Sequence, residues 1–447
     1  MIDRRQFLST AVAAGICPPQ GAGRTVCEPA REVPVAGEYD LIVAGGGPAG
    51  IAAAVTAARA GVKTLLLERQ GQLGGIWTSG CLACLLGFNE TPFDREILGR
   101  LRRYGALSER KPKFPSGWLC EPEYMKLVCE ELCEEAGVDF ILHTSVVAAV
   151  RDGNRLEAVV TESKAGRQAW KAGFFADCTG DGDLGALAGC GFDVGGNHPQ
   201  DAEQPASLLS LILLPNGGEA TCIANDPVNF TADGGDLGDP KGELLKVFER
   251  AGVRPSYGHP TLFRLHGPVF QLMADHQYGV AVDDVRAITK ATVRARKELS
   301  ALVTALAEKG GKAWEGARLI STAAQLGHRR ARRLHGLYRL SVEDAVGGRT
   351  FADAVTTCRF GLDVHAVTAE VNRMRPAGNP LAVGVKPYQI PLRSCMSADI
   401  GNLYMAGRCI SGDFLTQASY RITATAIGTG VGIAKAIGGK LKKEKMG

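Results

Sequence analysis

The sequence lacks the features of several broad protein classes. No stretch of eighteen or more consecutive apolar residues occurs in its 447 residues, so we expect no membrane-spanning helix. It also lacks a strong charge excess, since 51 Lys and Arg face 47 Asp and Glu, which argues against nucleic acid or an anionic membrane as the main partner. Thirteen scattered cysteines are too few for a disulfide scaffold in a chain this long. A small-molecule substrate is therefore the default expectation.

Glycine and apolar residues are abundant. The chain has 57 glycines and 45% hydrophobic residues, which suits a globular protein of two or three domains. No repeat of fixed period is visible. The sequence therefore predicts local motifs rather than a repeating architecture.

A βαβ unit opens the folded part of the chain. The apolar segment Tyr39–Ala44 predicts a strand, the alanine-rich segment Ala49–Ala60 a helix, and Thr64–Leu67 a second strand. Between the first strand and the helix lies GGGPAG, residues Gly45 to Gly50, which fits G-x-G-x-x-G. Glu68 follows the second strand, where an acidic side chain can accept hydrogen bonds from ribose hydroxyls. Together these features predict a dinucleotide site.

A second glycine-rich match occurs at Gly180–Gly185, after a predicted strand at Phe174–Cys178. It is compatible with a separate NAD(P)H domain, but no strand ending in Asp or Glu follows about twenty residues later. We therefore interpret it as a late strand of the first dinucleotide domain, with Asp181 near the cofactor. Near the C-terminus, a short apolar strand ends in a turn at Gly407, and a helix of small residues is predicted from Ile422 to Ile437.

Five sequence blocks in order resemble a known family. They are the phosphate loop with Glu68, Gly74–Thr78, Ala176–Asp183, Gly327–Arg333, and Ala406–Arg408 with its following helix. From Tyr39 to the end, the chain resembles the glutathione-reductase-type FAD fold, and within it the FAD-dependent oxidoreductase family related to xanthan-lyase-associated flavoproteins. The resemblance implies FAD as cofactor, with contacts from these residues: Gly45, Gly47, Ala49, Gly50, Glu68, Gly75, Val146, Val147, Asp181, Gly407, Arg408, Gly412 and Asp413.

The resulting fold prediction is α/β. A discontinuous Rossmann-like FAD-binding domain is predicted over 39–196 and 385–447, with an inserted α+β substrate domain over 197–384. Residues 1–38 are predicted to be an export leader and linker. The segment Asp3–Leu8, followed by short apolar residues, resembles a twin-arginine leader. That route exports folded proteins, which suits a flavoprotein, so we expect a periplasmic or exported protein, with a disordered tail of a cytoplasmic protein as the alternative.

Three arginines are the candidate catalytic residues. Arg329 and Arg332 are spaced i, i+3, which would place them on one face of a helix, and Arg421 precedes the C-terminal helix. Related fumarate-reductase-like flavoproteins carry a substrate arginine at the position of Arg421. Such arginines could bind a carboxylate or stabilise an enolate-like transition state. A solvated basic face from Arg329 to Arg333 is an equal alternative, and His328 and His335 are interpreted as ordinary packed or surface residues.

Cysteine chemistry provides another hypothesis. Cys81 and Cys84 follow the Gly74–Gly75 loop, and a thiolate next to a flavin could exchange electrons with it. Cys129 and Cys133 lie i, i+4 on a predicted helix, where core packing is favoured over an iron–sulfur or other metal site. We therefore assign no metal ligands.

The predicted reaction is hydride transfer between the flavin and a small organic substrate, with an electron acceptor that the sequence does not identify. A flavin-linked dithiol reductase using Cys81 and Cys84 is one alternative. A non-enzymatic electron-relay flavoprotein is another.

Overall fold

A computed structural model describes residues 26, 28–88, 91–109, 117–195, 204–229, 231, 237–365, 368, 370 and 385–446. The Asp3–Leu8 segment of the predicted export leader lies outside the described residues, so the export hypothesis stays a prediction. The same holds for the first residues of the predicted linker.

The described part of the chain alternates strands and helices. Its helices of at least five residues are α1 (Pro48–Arg59), α2 (Pro92–Arg103), α3 (Pro122–Ala136), α4 (Asp183–Leu187), α5 (Pro240–Arg250), α6 (Val285–Lys309), α7 (Val342–Gly347), α8 (Phe414–Tyr420) and α9 (Thr423–Met446). Its strands are β1 (Val35–Ala44), β2 (Thr64–Leu67), β3 (Cys84–Leu86), β4 (Leu107–Glu109), β5 (Gly117–Cys120), β6 (Asp139–Ile141), β7 (Ser145–Asp152), β8 (Arg155–Ser163), β9 (Gly166–Asp177), β10 (Phe192–Asp193), β11 (Ser210–Leu213), β12 (Thr261–His266), β13 (Val269–Met273), β14 (Arg318–Thr322), β15 (Arg333–Leu334), β16 (Ala354–Cys358), β17 (Tyr388–Pro391) and β18 (Leu403–Met405).

The central sheet has a parallel half that forms the Rossmann-like layer. Its strand order is β6-β2-β1-β9-β8-β7, and β18 also pairs with β9. Strands β6, β2, β1, β9 and β18 run parallel, whereas β8 is antiparallel to both β9 and β7. Apolar residues fill this layer, as expected for parallel strands covered on both faces. The α/β, Rossmann-like fold class is confirmed.

The pairing of strand β9 shows which domain contains the second glycine-rich motif. It pairs with β1 on one side and with β18 on the other, within the same sheet. Gly180–Gly185 therefore follows a late strand of the first dinucleotide domain, as the sequence indicated, and the separate NAD(P)H domain is excluded.

Helices α1 and α9 pack against each other at very short range. A Cβ added at Gly430 would lie 2.2 Å from the carbonyl oxygen of Ala49, so only glycine allows this approach. This contact explains the small-residue composition of α9, and it fixes the N-terminus of α9 beside that of α1. The helix begins at Thr423, close to the predicted start, and continues past the predicted end.

A second sheet forms a separate layer with its own core. Its antiparallel order is β12-β13-β11-β14, and α5 and α6 supply apolar residues to the same core, among them Phe248, Leu299 and Leu302. This layer lies within the predicted substrate domain. Residues Leu334, Leu340 and Cys358, by contrast, belong to the core of the central sheet. The proposed domain boundaries stay a prediction.

The prediction of a helix around Arg329 and Arg332 is wrong. Gly327 forms an isolated bridge with Ser207, and Arg333–Leu334 is the strand β15, paired with β10. Tertiary backbone pairing therefore decides the conformation of this basic segment, and the i, i+3 spacing does not put the two arginines on one face.

Among the described residues, none of the helices is both long and apolar enough to cross a membrane.

Candidate active site

Four loops meet where the parallel strands of the central sheet end. The strands β1, β2, β9 and β18 finish at Ala44, Leu67, Asp177 and Met405. Parallel strands present their carboxyl ends at one edge of a sheet, and ligands bind in the crevice outside that edge. The loops that leave this edge carry the predicted cofactor residues Gly45, Glu68, Asp181, Gly407 and Arg408.

The phosphate loop has the geometry that its glycines predicted. Gly45 has a φ of +99°, and a Cβ there would lie 2.6 Å from the carbonyl oxygen of Cys178. A Cβ at Gly50 would lie 1.8 Å from the carbonyl oxygen of Gly45. Both positions therefore require glycine for the turn and for close packing.

Gly47 differs from its neighbours because its missing side chain faces open space. A Cβ there would have only the Cα of Gly75 within 4 Å, at 3.9 Å. Gly47 is also the N-cap of α1, and no side chain caps that helix. Backbone N–H groups at an uncapped helix N-terminus bind phosphate well. The space in front of Gly47 thus fits a pyrophosphate.

Glu68 fixes the shape of this loop. It is 7% exposed, its Oε2 accepts a hydrogen bond from Gly46 N at 2.6 Å, and its Oε1 accepts one from Gln70 N at 2.7 Å. Each carboxylate oxygen can accept a further hydrogen bond. The side chain can therefore hold the loop and still accept from a ribose.

Two cavities lie end to end along the crevice. The first has a volume of about 640 Å³ and the second of about 440 Å³, and both are lined by Gly45, Glu68, Arg69 and Thr179. An extended dinucleotide can pass from one to the other at these shared residues. The described residues thus fit FAD, whose adenosine part would lie in the first cavity and whose flavin would lie in the second.

The first cavity contains one of the two valines that the resemblance implies as FAD contacts. Val146 lines it, whereas Val147 is not among the described residues that do. Arg332 also lines this cavity, donates to Asp183 Oδ1 at 2.8 Å and to the carbonyl of Asp181 at 3.1 Å. The structure therefore separates Arg332 from the other two candidate catalytic arginines.

Asp177 is a cofactor-loop residue for which we assigned no role. Its buried carboxylate accepts hydrogen bonds from Thr179 Oγ1 at 2.7 Å and from Gly185 N at 2.8 Å. Burial raises the pKa of Asp177 to about 6 despite these donors. The side chain holds together the turn that carries Gly180 and Asp181.

Asp181 and Arg408 form an ion pair at the junction of two loops. Arg408 Nη2 donates to Asp181 Oδ1 at 2.8 Å, and Arg408 also donates to the carbonyl of His328. Arg408 lines the second cavity. Gly407, with a φ of +84°, lies beside Ala49 and donates its N–H to Thr429 Oγ1 at 3.0 Å. These contacts join the α1 and α9 ends of the site.

The N-terminus of α9 reaches the second cavity. Ile422, Thr423 and Ala426 line it, opposite Gly75 and Ile76. A helix N-terminus carries partial positive charge, which stabilises negative charge that accumulates on a ring.

Arg329 and Arg421 converge on the second cavity although 92 positions separate them. Arg421 Nη2 donates to Asp363 Oδ2 at 2.7 Å. Arg329 donates instead to the carbonyl of Pro205 at 2.6 Å and to Ser207 Oγ at 2.9 Å, and it forms no salt bridge with a described carboxylate. Burial and the charge of Arg421 lower the pKa of Arg329 to about 10. The cavity therefore carries a net positive wall.

Sequence reasoning missed the groups that surround these arginines. Tyr257, Asp363 and His365 line the same cavity, and His276 stacks on Tyr257 with ring centroids 4.1 Å apart. The ring of His276 has no hydrogen-bond partner at Nε2. These residues come from distant segments and no local motif contains them, so only the fold could reveal the cluster.

Cys81 and Cys84 are two separate buried thiols. They are not joined by a disulfide, and their side chains belong to different apolar clusters. Burial raises the pKa of the Cys81 thiol, which disfavours the nucleophilic thiolate. Cys84 lines the second cavity.

Gly412 and Asp413 are the predicted cofactor residues next to α8. Neither is among the described residues that line the two cavities. Asp413 is the N-cap of α8 and accepts from Thr416 N at 2.7 Å. Their contact with FAD stays a prediction. Within the described ranges, no group of three or more His, Cys, Asp or Glu side chains could hold a metal ion.

Known proteins resemble parts or most of this sequence. The sequence model of a family described as FAD dependent oxidoreductase matches residues 40–445. A dihydrolipoyl dehydrogenase from Trypanosoma brucei brucei is 36% identical over 78 residues, 17% of this chain and 16% of that protein. A digeranylgeranylglycerophospholipid reductase from Picrophilus torridus is 31% identical over 133 residues, 26% of this chain and 33% of that protein. The matched segments thus span about a third or less of these curated relatives.

A solved structure shares the fold at low sequence identity. It is a flavin-dependent brominase, which superposes with a TM-score of 0.50 at 11% identity and covers 91% of this chain and 80% of its own. At this identity the likeness concerns the fold alone.

Proposed function

Because the chain belongs to the FAD-dependent oxidoreductase family, as its match over residues 40–445 shows, we propose that it transfers a hydride between FAD and a small organic substrate with an acidic group. Arg329 and Arg421 bind that acidic group in the second cavity. The sequence predicted the family and the cofactor, and both are confirmed. The substrate and the reaction direction are the proposal.

The chain's own residues hold the cofactor. The uncapped end of α1 at Gly47 would receive the pyrophosphate, Glu68 would accept from the ribose, and Gly75 and Gly407 line the cavity that would hold the ring system. FAD, when bound, supplies the two-electron chemistry of hydride transfer. The protein supplies orientation and electrostatics.

One observation carries the assignment of an acidic substrate. Four arginines line the second cavity. Arg408 and Arg421 each have a carboxylate partner and Arg69 is exposed, whereas Arg329 is half-buried and has no carboxylate partner among the described residues. A guanidinium presents a planar fork that matches a carboxylate. A cation without a protein counter-charge binds an anionic ligand more readily than one already paired. Arg329 is therefore the primary anion receptor, and Arg421 orients the ligand.

The other wall of the cavity is apolar. Leu82, Leu86, Phe263, Met273 and Phe360 line it. Apolar side chains exclude water from the reacting atoms, and a low local dielectric strengthens the attraction between the arginines and an anion. The substrate class that fits is a carboxylate with an apolar body.

The two alternative functions receive no support from the geometry. A dithiol reductase requires a thiolate that the burial of Cys81 disfavours. An electron-relay protein requires no anion site beside its flavin, yet Arg329 and Arg421 converge on that cavity. Export through a twin-arginine leader remains a separate proposal, tested by the cellular fraction in which the full chain accumulates with Arg4 and Arg5 intact or replaced by Lys.

Matched substrate pairs test the proposed reaction. Each member of a series of 2-hydroxy and 2-amino acids is mixed anaerobically with the oxidised holoenzyme beside its neutral amide, and flavin bleaching is followed. We expect reduction by acids rather than amides, and a large loss of rate in Arg329→Lys but not in the exposed control Arg286→Lys. Equal reduction by an acid and its amide, or an unaffected Arg329→Lys variant, contradicts the proposal.

A further inference from the structure

His365 occupies a special position in the anion cavity. It lines the cavity beside Arg329, Arg421 and Tyr257, and its Nε2 lies 3.4 Å from Asp363 Oδ2. Its backbone N–H donates to Gln204 Oε1 at 3.0 Å, which anchors the residue. The imidazole is therefore held where a bound anion would lie.

The hydrogen-bond partner sets the tautomer of this imidazole. Burial alone would raise the pKa of Asp363, but its contact with His365 and the charges of Arg421 and Arg329 hold that pKa well below its ordinary value. Asp363 is therefore ionised and can only accept hydrogen bonds. The proton of neutral His365 consequently resides on Nε2, and Nδ1 keeps a lone pair.

Burial and the neighbouring titratable groups determine the protonation state of His365. Burial and the charge of Arg329, with a smaller contribution from Arg421, lower its pKa to about 4, although Asp363 opposes them. The adjacent His276, whose ring centroid lies 5.2 Å away, has its pKa lowered well below the ordinary value by burial and by Arg329. Burial raises the pKa of Tyr257. At neutral pH the cluster therefore consists of two neutral imidazoles, a neutral phenol, one carboxylate and two guanidinium groups.

An anion bound to the arginines changes this balance. Its negative charge offsets the two positive charges that suppress protonation of His365, and an opposite charge within ~4–6 Å favours the charged form of a titrating group. The imidazole becomes a stronger base only when the site holds an anionic ligand. Binding and proton acceptance are thereby coupled.

We propose that His365 is the proton acceptor of the reaction and that the anionic group of the substrate, bound by Arg329 and Arg421, increases its basicity. This inference rests on the proposed function. For a substrate with a hydroxyl or amine next to its carboxylate, the C–H bond breaks and its hydride, with both electrons, goes to the flavin. The O–H or N–H proton goes to Nδ1 of His365, and a C=O or C=N bond forms. Asp363 is the positioning residue that holds the imidazole and its resulting positive charge.

Histidine NMR of the holoenzyme tests the coupling without turnover. Holoenzyme labelled with ¹³C at histidine Cε1 is titrated with pH, with and without saturating benzoate, and the His365 signal is identified among the eight histidines by its loss in His365→Asn. Benzoate is a carboxylate with an apolar body, and its binding is followed independently by the flavin absorption bands. We expect the His365 pKa to rise by at least about one unit with benzoate, and to stay unchanged in Arg329→Ala at the same benzoate concentration.

The outcomes separate this inference from the function on which it rests. If benzoate perturbs the flavin bands but leaves the His365 pKa unchanged, the coupling is overturned and the anion site stands. If benzoate does not perturb the flavin at all, both are overturned.

Reduction kinetics give a second readout. His365→Asn and His365→Gln should each slow flavin reduction by the best acid of the matched series by at least about 100-fold, while benzoate binding and FAD content stay near wild type. Raised pH should not restore the rate, because neither amide side chain can accept the proton. Wild-type reduction rates in a folded, FAD-containing variant would overturn the assignment of His365.

Discussion

The carboxylate of Asp363 accepts a hydrogen bond from Arg421 at 2.7 Å and lies 3.4 Å from Nε2 of His365. One half-buried acid thus holds a cation of the anion site and the imidazole that we propose as the base. The neighbouring Arg329 has no described carboxylate partner. This asymmetry makes Arg329 the cation that can bind an acidic ligand.

Gly47→Ala should weaken FAD binding without harming the fold. The added Cβ would have only the Cα of Gly75 within 4 Å, and Gly47 has an ordinary φ of −81°. The methyl group would occupy the space that the pyrophosphate needs, so the FAD dissociation constant should rise at least about tenfold, or ~1.4 kcal/mol. Titration of the apoprotein with FAD measures this, with chemical denaturation of both apoproteins beside it. The control is Gly218→Ala, whose Cβ also meets open space; equal FAD affinity in both variants would refute the assignment.

Glu68→Ala should weaken FAD retention. Its carboxylate accepts from Gly46 N and Gln70 N, so its loss leaves buried donors unpaired and removes an acceptor for the ribose. The expected cost is about 1–3 kcal/mol, or roughly five- to 150-fold in affinity. Glu68→Gln should retain FAD less well than wild type but better than Glu68→Ala, because one oxygen acceptor remains. FAD loss on dialysis measures the effect, with exposed Glu157→Ala as the control; retention equal to wild type would discard the role.

Arg329→Lys and Arg421→Lys should impair turnover far more than FAD binding. Lysine keeps a positive charge but loses the planar fork that fits a carboxylate. We expect kcat/KM for the acid substrate to fall by at least about tenfold, or ~1.4 kcal/mol, while the FAD dissociation constant changes less than about twofold. Steady-state kinetics with saturating FAD measure the first quantity and apoprotein titration the second. A parallel loss of both would make the arginines cofactor residues.

The cofactor site was more accessible to sequence reasoning than the substrate site. Gly45, Gly50 and Glu68 lie within one short βαβ unit, where local spacing determines the geometry, so their positions followed from the motif. The spacing of Arg329 and Arg332 predicted a helix, and that prediction was wrong. Backbone pairing of Gly327 with Ser207 and of β15 with β10 sets the conformation instead. Asp363 and His365 join the site through tertiary contacts alone, and no local pattern distinguishes them from other polar residues.

The double variant Cys81→Ala/Cys84→Ala should retain flavin chemistry. The two thiols are not joined by a disulfide, and burial raises the pKa of Cys81. An anaerobic dithionite titration should therefore reduce wild type and variant with the same two electrons per FAD, because only the flavin accepts them. Uptake of four electrons by wild type and two by the variant would revive the dithiol hypothesis. Flavin reduction rates by the acid substrate should agree within about threefold.

Asp275→Asn should change how stability depends on pH. Burial raises the pKa of Asp275 to about 7, although its carboxylate accepts from Leu208 N at 2.8 Å. The folded state therefore binds this proton more tightly than the unfolded state, whose aspartate pKa is about 3.9. The resulting stabilisation is complete below about pH 4 and is lost as pH rises through about 7.

The variant removes that pH dependence because asparagine does not titrate. Relative to wild type, Asp275→Asn should gain on the order of 2–4 kcal/mol in free energy of unfolding between pH 4 and pH 8. Urea denaturation at several pH values measures the difference. The exposed control Asp152→Asn should show no such trend, and a flat difference for Asp275→Asn would contradict the buried-acid assignment.

The most direct test of the central claim is an absorption titration of the oxidised, FAD-loaded protein with benzoate. The account predicts a saturable perturbation of the visible flavin bands in wild type and in Arg286→Ala, and its loss in Arg329→Ala at unchanged FAD content. Unperturbed flavin bands in wild type, or the same benzoate affinity in Arg329→Ala, would contradict an anion site formed by Arg329 and Arg421 beside the flavin.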